Sequence, residues 1–174
     1  LSKSARKHDH KLISASASEG TLGREHLFEL LRLVDQSEFV YILETNGMTL
    51  GNDASFAQQL AAFKNLHVRV SIKGTSQQEY HRLTDALPES YELPFKALKH
   101  LIDAGVSCNA CVMISFSDEA GIQAVEKKLF ETHPGLLKSL EKEHITPFPK
   151  VAKRLSKNGL KPNSIAFKGK VVNL

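Results

Sequence analysis

The chain has 174 residues, 24% charged and 41% hydrophobic, the balance of a folded globular domain rather than a disordered segment. No apolar run approaches the roughly 20 residues of a membrane-spanning helix, and Leu1-Ser2-Lys3-Ser4-Ala5-Arg6 lacks the apolar core of a signal peptide, so a cytoplasmic location is expected. The formal charge of +4 sits in the tail: residues 150–174 carry seven basic side chains and no acidic one, with too few aromatic residues to stack bases, which argues against a nucleic-acid partner.

In chain order, short apolar runs alternate with longer amphipathic ones. A strand is predicted over Lys11–Ser16, then a helix over 24–34 with Leu27, Leu30, Leu31 and Val34 on one face. A second strand follows at Phe39–Leu43, and a helix over 53–64 capped by Asn52 or Asp53 presents Phe56, Leu60 and Phe63. The third strand is His67–Ile72. A helix over 94–104 starts with Pro94 in its first turn and stops at Gly105. The fourth strand is placed at Cys111–Phe116, followed by helices over 119–131 and 136–143 that are separated by His133-Pro134-Gly135. His144–Phe148 reads as a fifth strand, Val151–Lys157 as a short helix, and Ser164–Phe167 as a short final strand.

Strand centres near Ile13, Ile42 and Val70 lie 29 and 28 residues apart, one βαβ unit each time. Right-handed crossovers then place the strands in one parallel sheet with helices outside. A closed eight-fold barrel takes about 250 residues, so the expected architecture is α/β: an open, partial (β/α) TIM-like barrel of about five units, forming a single domain over 1–174 with a basic segment at 150–174. The outer edge of the first strand needs cover. Residues 2–10 are too polar to make a strand, so a second copy of the chain is expected there, ahead of a partner protein or a preceding segment.

Ligands of such sheets bind at the carboxyl ends of the strands. Those ends read Ser16-Ala17-Ser18-Glu19-Gly20-Thr21, Glu44-Thr45-Asn46-Gly47, Ser71-Ile72-Lys73-Gly74-Thr75 and Ser115-Phe116-Ser117-Asp118. Each alone is an ordinary turn or cap, but together they gather the hydroxyls, carboxylates, amide and lysine that a polar, charged small molecule requires. Leu43-Glu44-Thr45-Asn46-Gly47 followed by Val70-Ser71-Ile72-Lys73-Gly74 resembles the third and fourth strands of radical S-adenosylmethionine (radical SAM) enzymes, in particular the archaeal group similar to pyruvate formate-lyase activating enzyme. The segment from Ile13 to Leu27 resembles that group's second strand, with Ala17, Ser18 and Gly20 departing from its Gly-Gly-Glu-Pro motif.

The resemblance implies S-adenosylmethionine as cofactor, with Glu19 toward the methionyl ammonium, Thr45 and Asn46 beside it, and Ser71 and Lys73 toward the methionyl carboxylate and ribose. It also implies a 4Fe–4S cluster held by three cysteines spaced CxxxCxxC, a motif this chain lacks. Cys108 and Cys111 are too few for a disulfide scaffold and read as structural rather than as a redox or zinc pair. His8-Asp9-His10 has metal-ligand residue types but reads as a solvated connector, so no metal site is expected. The chain is therefore expected to be a fragment or a degenerate member of a radical SAM enzyme, with a remnant cofactor site and no radical chemistry of its own. The alternative is a non-catalytic scaffold or assembly domain that binds a protein or nucleic-acid partner.

Overall fold

The computed structural model describes residues 11–14 and 19–174. Five strands, β1 (Leu12–Ser14), β2 (Val40–Thr45), β3 (Leu66–Lys73), β4 (Cys108–Met113) and β5 (Glu141–Glu143), pair in sequence order and all in parallel. Sequential order without reversal is the topology of a barrel and not of a doubly wound sheet. The sheet curls into a half-barrel, a partial TIM-like barrel with helices between the strands. These are α1 (Arg24–Asp35), α2 (Met48–Asn52), α3 (Ala54–Leu60), α4 (Gln77–Thr84), α5 (Leu93–Asp103), α6 (Glu119–Thr132) and, after β5, α7 (Pro149–Lys157). A hairpin of β6 (Ser164–Phe167) and β7 (Lys170–Asn173) completes the chain.

The two-residue period of the strands assigns their faces. Tyr41 and Leu43, Leu66, Val68, Val70 and Ile72, and Ala110 and Val112 point outward and are buried under the helices, against Leu31, Phe56, Leu60, Leu98, Leu101 and Leu129. Each fully buried leucine or phenylalanine contributes about 1.5–3 kcal/mol of transfer free energy, so this outer layer is the core. The intervening residues, His67, Arg69, Ser71 and Lys73 on β3 with Asn109 and Cys111 on β4, face the concave side. That face is polar.

Close backbone approach fixes the helices. Gly47, at φ +76°, starts α2 after the Asn46 turn, and a Cβ there would lie 2.9 Å from Pro94 Cα. One helical turn on, a Cβ on Gly51 would meet the carbonyl oxygen of Leu93. The pair Gly47 and Gly51 thus lets the start of α5 settle against the end of β2.

Three expectations are corrected. The fourth strand is Cys108–Met113, three residues upstream of the predicted span. Ile114, Ser115 and Phe116 are apolar or buried because the chain around 145 and 163–164 covers them: Ser115 Oγ accepts from Ile145 N, and its carbonyl accepts from Asn163 N and Ser164 N. The predicted helix over 136–143 is instead a 3-10 turn at Pro134–Ser139 followed by β5, and 144–148 is not a strand. The polar Gln77–Thr84 stretch, unassigned in the sequence, is α4, capped by Ser76 Oγ accepting from Glu79 N.

Among the described residues β1 pairs with β2 alone, and Leu12 is exposed. The expected first strand's residues 15–16, the connector 2–10 and His8-Asp9-His10 lie outside the described residues. No described helix is long and apolar enough to cross a membrane.

Candidate functional site

The concave floor is organised by Arg69. Its guanidinium bonds Glu44 on β2, takes Glu141 on β5 in a fork (Nε to Oε1, 3.2 Å; Nη2 to Oε2, 2.6 Å) and reaches Glu143 Oε1 at 3.2 Å. Such bidentate, charge-assisted contacts are the strong ones. The Arg69 hydrogen bonds pull the Glu141 carboxyl below its ordinary range, and those same bonds raise the guanidinium's pKa. Asn109 Nδ2 donates to Glu141 Oε1 at 2.7 Å, and its Oδ1 lies 2.9 Å from His67 Nε2. One cation thereby ties β2, β3 and β5 across the floor.

Above it Ser71 and Lys73 line a cavity of about 140 Å³ with Glu44, Arg69, Cys111 and Glu143. Among the described residues Lys73 Nζ has one acidic partner, Glu143 Oε2 at 4.0 Å, a loose pair at a half-exposed ammonium. Lys73 also borders a second, apolar cavity of about 230 Å³, walled by Met113, Phe116, Ile145, Leu155 and Leu160. The lysine therefore stands between a polar chamber and an apolar one at the carboxyl ends of β3 and β4.

The loop that carries it is held by Glu79. This buried carboxylate accepts from Thr75 N (2.7 Å), Thr75 Oγ1 (2.9 Å) and Ser117 Oγ (2.9 Å), joining the turn after β3 to the turn after β4. Gly74, at φ +82°, makes room: a Cβ there would fall 2.7 Å from Glu79 Cγ. Sequence reasoning missed Glu79 and Arg69. The signal for the first was Ser76-Gln77-Gln78-Glu79, a capping-box pattern whose glutamate reaches one residue past its usual target.

The residues expected from the sequence fall into two groups. Glu19, Thr45 and Asn46 are together: Glu19 Oε1 accepts from Thr45 Oγ1 and Thr21 Oγ1, both at 2.6 Å, and Oε2 accepts from Asn46 N at 2.7 Å. Ser71 and Lys73 share the concave chamber. Glu19 borders a different cavity, of about 240 Å³, beside Gly20, Gly23, His26 and Tyr41. The first group clasps the ends of β1 and β2, while the second presents side chains to open space.

The cysteines do not fit an iron–sulfur cluster. There are two, three residues apart on one strand, so they point to opposite faces: Cys108 packs against the core and Cys111 faces Arg69. Burial pushes the thiols up, to about 11 for Cys108 and about 12 for Cys111, away from the thiolate that a metal needs. Cys111, Glu141 and Glu143 bring ligand atoms within 4.8 Å of one another, but Arg69 already occupies both carboxylates.

No family model matches the chain, and no curated protein does. Solved structures do. They include anSMEcpe, an anaerobic sulfatase-maturating enzyme, in its native form with bound AdoMet and Kp18Cys peptide (TM-score 0.53, 19% identity, 79% of this chain and 41% of that one). The hexahistidine-tagged form with bound AdoMet aligns over 84% of this chain and 43% of that one, at TM-score 0.55 and 19% identity. The native form with bound AdoMet aligns over 87% and 48%, at TM-score 0.54 and 16% identity. At such identities the likeness is one of fold. The chain spans less than half the length of these structures.

Proposed function

We propose that this chain is part of a radical SAM enzyme, the barrel segment that holds S-adenosylmethionine over the carboxyl ends of its strands. The observation that carries the reading is the placement of Lys73. A weakly paired ammonium at the meeting point of a polar and an apolar cavity suits a ligand that joins a carboxylate to a flat heterocycle. The fold shared with AdoMet-bound anSMEcpe supports the same reading, and its partial coverage supports a chain that supplies only part of the enzyme.

In this account Lys73 receives the methionyl carboxylate and Ser71 offers its hydroxyl beside it. Glu19, whose carboxylate is clasped by Thr45 and by the Asn46 amide, borders a separate cavity and braces the turn after β2 beside the site. Met113, Phe116 and Ile145 exclude water from an apolar ring. When bound, S-adenosylmethionine supplies a sulfonium open to reductive cleavage. That cleavage would need an electron from a cluster that these two cysteines do not fit, so the role proposed for this chain's own residues is binding and orientation.

Calorimetric titration with S-adenosylmethionine tests the reading. Binding is expected, and Lys73→Ala should weaken it about tenfold or more, since a charge-assisted hydrogen bond is worth about 1.5–3 kcal/mol. No heat and no competition by S-adenosylhomocysteine up to about 1 mM, the lowest affinity worth about 4 kcal/mol of binding, would overturn it.

A further inference from the structure

The β6–β7 hairpin is independent of the cofactor reading. Its turn is Lys168-Gly169, both at positive φ (+50° and +73°), the two-residue connection that matches strand twist. β6 is docked on the body: Ala166 N donates to Ile145 O at 3.0 Å and Ser164 N to Ser115 O at 3.1 Å. β7 lies outboard and, among the described residues, pairs only with β6.

The antiparallel register fixes which groups are free. Leu174 N donates to Asn163 O, so the alternation of bonded and non-bonded pairs turns the backbone N–H and C=O of Val171 and Asn173 away from β6. Ile165 and Val172 share one face with Phe167 and Leu174, and on that face Phe167 is 52%, Val172 40% and Leu174 72% exposed. An unpaired edge beside an exposed apolar stripe is a template for strand addition. The segment that carries the hairpin has one sign of charge: Lys150, Lys153, Arg154, Lys157, Lys161, Lys168 and Lys170 with no acidic residue between 150 and 174, and Lys168 and Lys170 lie in and beside the hairpin turn itself.

We propose that β7 is a docking edge for an extended, acidic segment of another protein, which adds as a further strand with apolar residues on the stripe and carboxylates toward these lysines. A second copy pairing edge to edge through the same hairpin would bring the same seven positive charges to the contact, so charge complementarity selects an acidic segment of a different protein there.

The probe is a fluorescein-labelled peptide that alternates valine with glutamate, measured by anisotropy against the full chain, with a valine–lysine peptide as its counterpart. The glutamate peptide is expected to bind in preference, and more weakly as salt rises. Val171→Pro removes an outward N–H that β6 does not use and should weaken binding about tenfold or more, a loss of about 1.4 kcal/mol. A Lys168→Glu, Lys170→Glu double variant should reverse the preference toward the lysine peptide, and it carries the test if the proline unfolds the hairpin. Equal binding of the two peptides, no binding of the glutamate peptide, or indifference to the double variant would overturn the proposal. Binding of single-stranded RNA or anionic vesicles in place of the peptide would do so too, as would a dimer in sedimentation that Val171→Pro dissolves.

Discussion

Gly51→Ala is expected to lower stability by about 3 kcal/mol, the upper end of what overpacking costs in a close-packed interior. A Cβ at this position would lie 2.3 Å from Leu93 O, 2.8 Å from Leu93 C and 2.9 Å from Leu93 Cα. All three are backbone atoms at the start of α5, so no side chain can rotate aside and the two helices must separate. The substitution also removes a helical glycine, which alone would favour the variant by about 1 kcal/mol. The clash outweighs that gain because moving α5 disturbs Leu98 and Leu101, both wholly buried. For a domain of this size the melting midpoint should fall by about 6–12 °C. Gly23→Ala is the matched control, since nothing lies within 4 Å of its added Cβ and its φ is −97°. A Gly51→Ala protein that melts with the Gly23→Ala protein would mean that α2 and α5 are not in this contact.

Glu79→Ala should cost a similar amount through a different mechanism. The glutamate is 8% exposed, and removing its carboxylate strands the Thr75 amide and the hydroxyls of Thr75 and Ser117 in a buried setting. Each stranded group costs about 1–3 kcal/mol, and the hydroxyls recover part of that by rotating, so a net loss of about 3 kcal/mol is expected. Glu79→Gln retains one acceptor oxygen and should fall between the two. Because the same carboxylate holds the Gly74-Thr75 turn that follows Lys73, S-adenosylmethionine should also bind the alanine variant more weakly. An unchanged melting curve for Glu79→Ala would show that the turns after β3 and β4 do not depend on this residue.

The elements that sequence periodicity found and those it missed differ in where their partners lie. β2 was legible as a short apolar run, Phe39–Leu43, bounded by polar residues, β3 because apolar and polar residues alternate within it, and α1 and α5 because one apolar face repeats at helical spacing. β5 was not. Glu141-Lys142-Glu143 has no apolar residue at all; it is a strand because its backbone pairs with β4, some 30 residues earlier, and its side chains are held there by Arg69, 72 residues earlier, and by Glu126 on α6. A pattern search within a window cannot see a partner that distant. The displaced fourth strand has a related cause, since the apolarity of 114–116 answers to the tail that covers it. At the site, the motif positions Glu19, Thr45 and Asn46 are brought together and Ser71 with Lys73, as two groups on different cavities. The salt-bridged floor beneath Lys73 left no motif, because its acids come from β2 and β5 and its base from β3.

In the proposed function S-adenosylmethionine lies at the carboxyl ends of β3 and β4, against Lys73 and the apolar cavity beside it. The most direct measurement is an NMR titration of the isotopically labelled chain with S-adenosylhomocysteine, which places the ligand residue by residue and needs no turnover. Amide shifts are expected to concentrate at Ser71–Thr75, Met113–Ser117 and His144–Ile145, with a smaller set at Glu19, Thr45 and Asn46, and to be lost in Lys73→Ala. Shifts confined to the Phe28–Phe63 groove on the outer helices would contradict it, as would no shift at all.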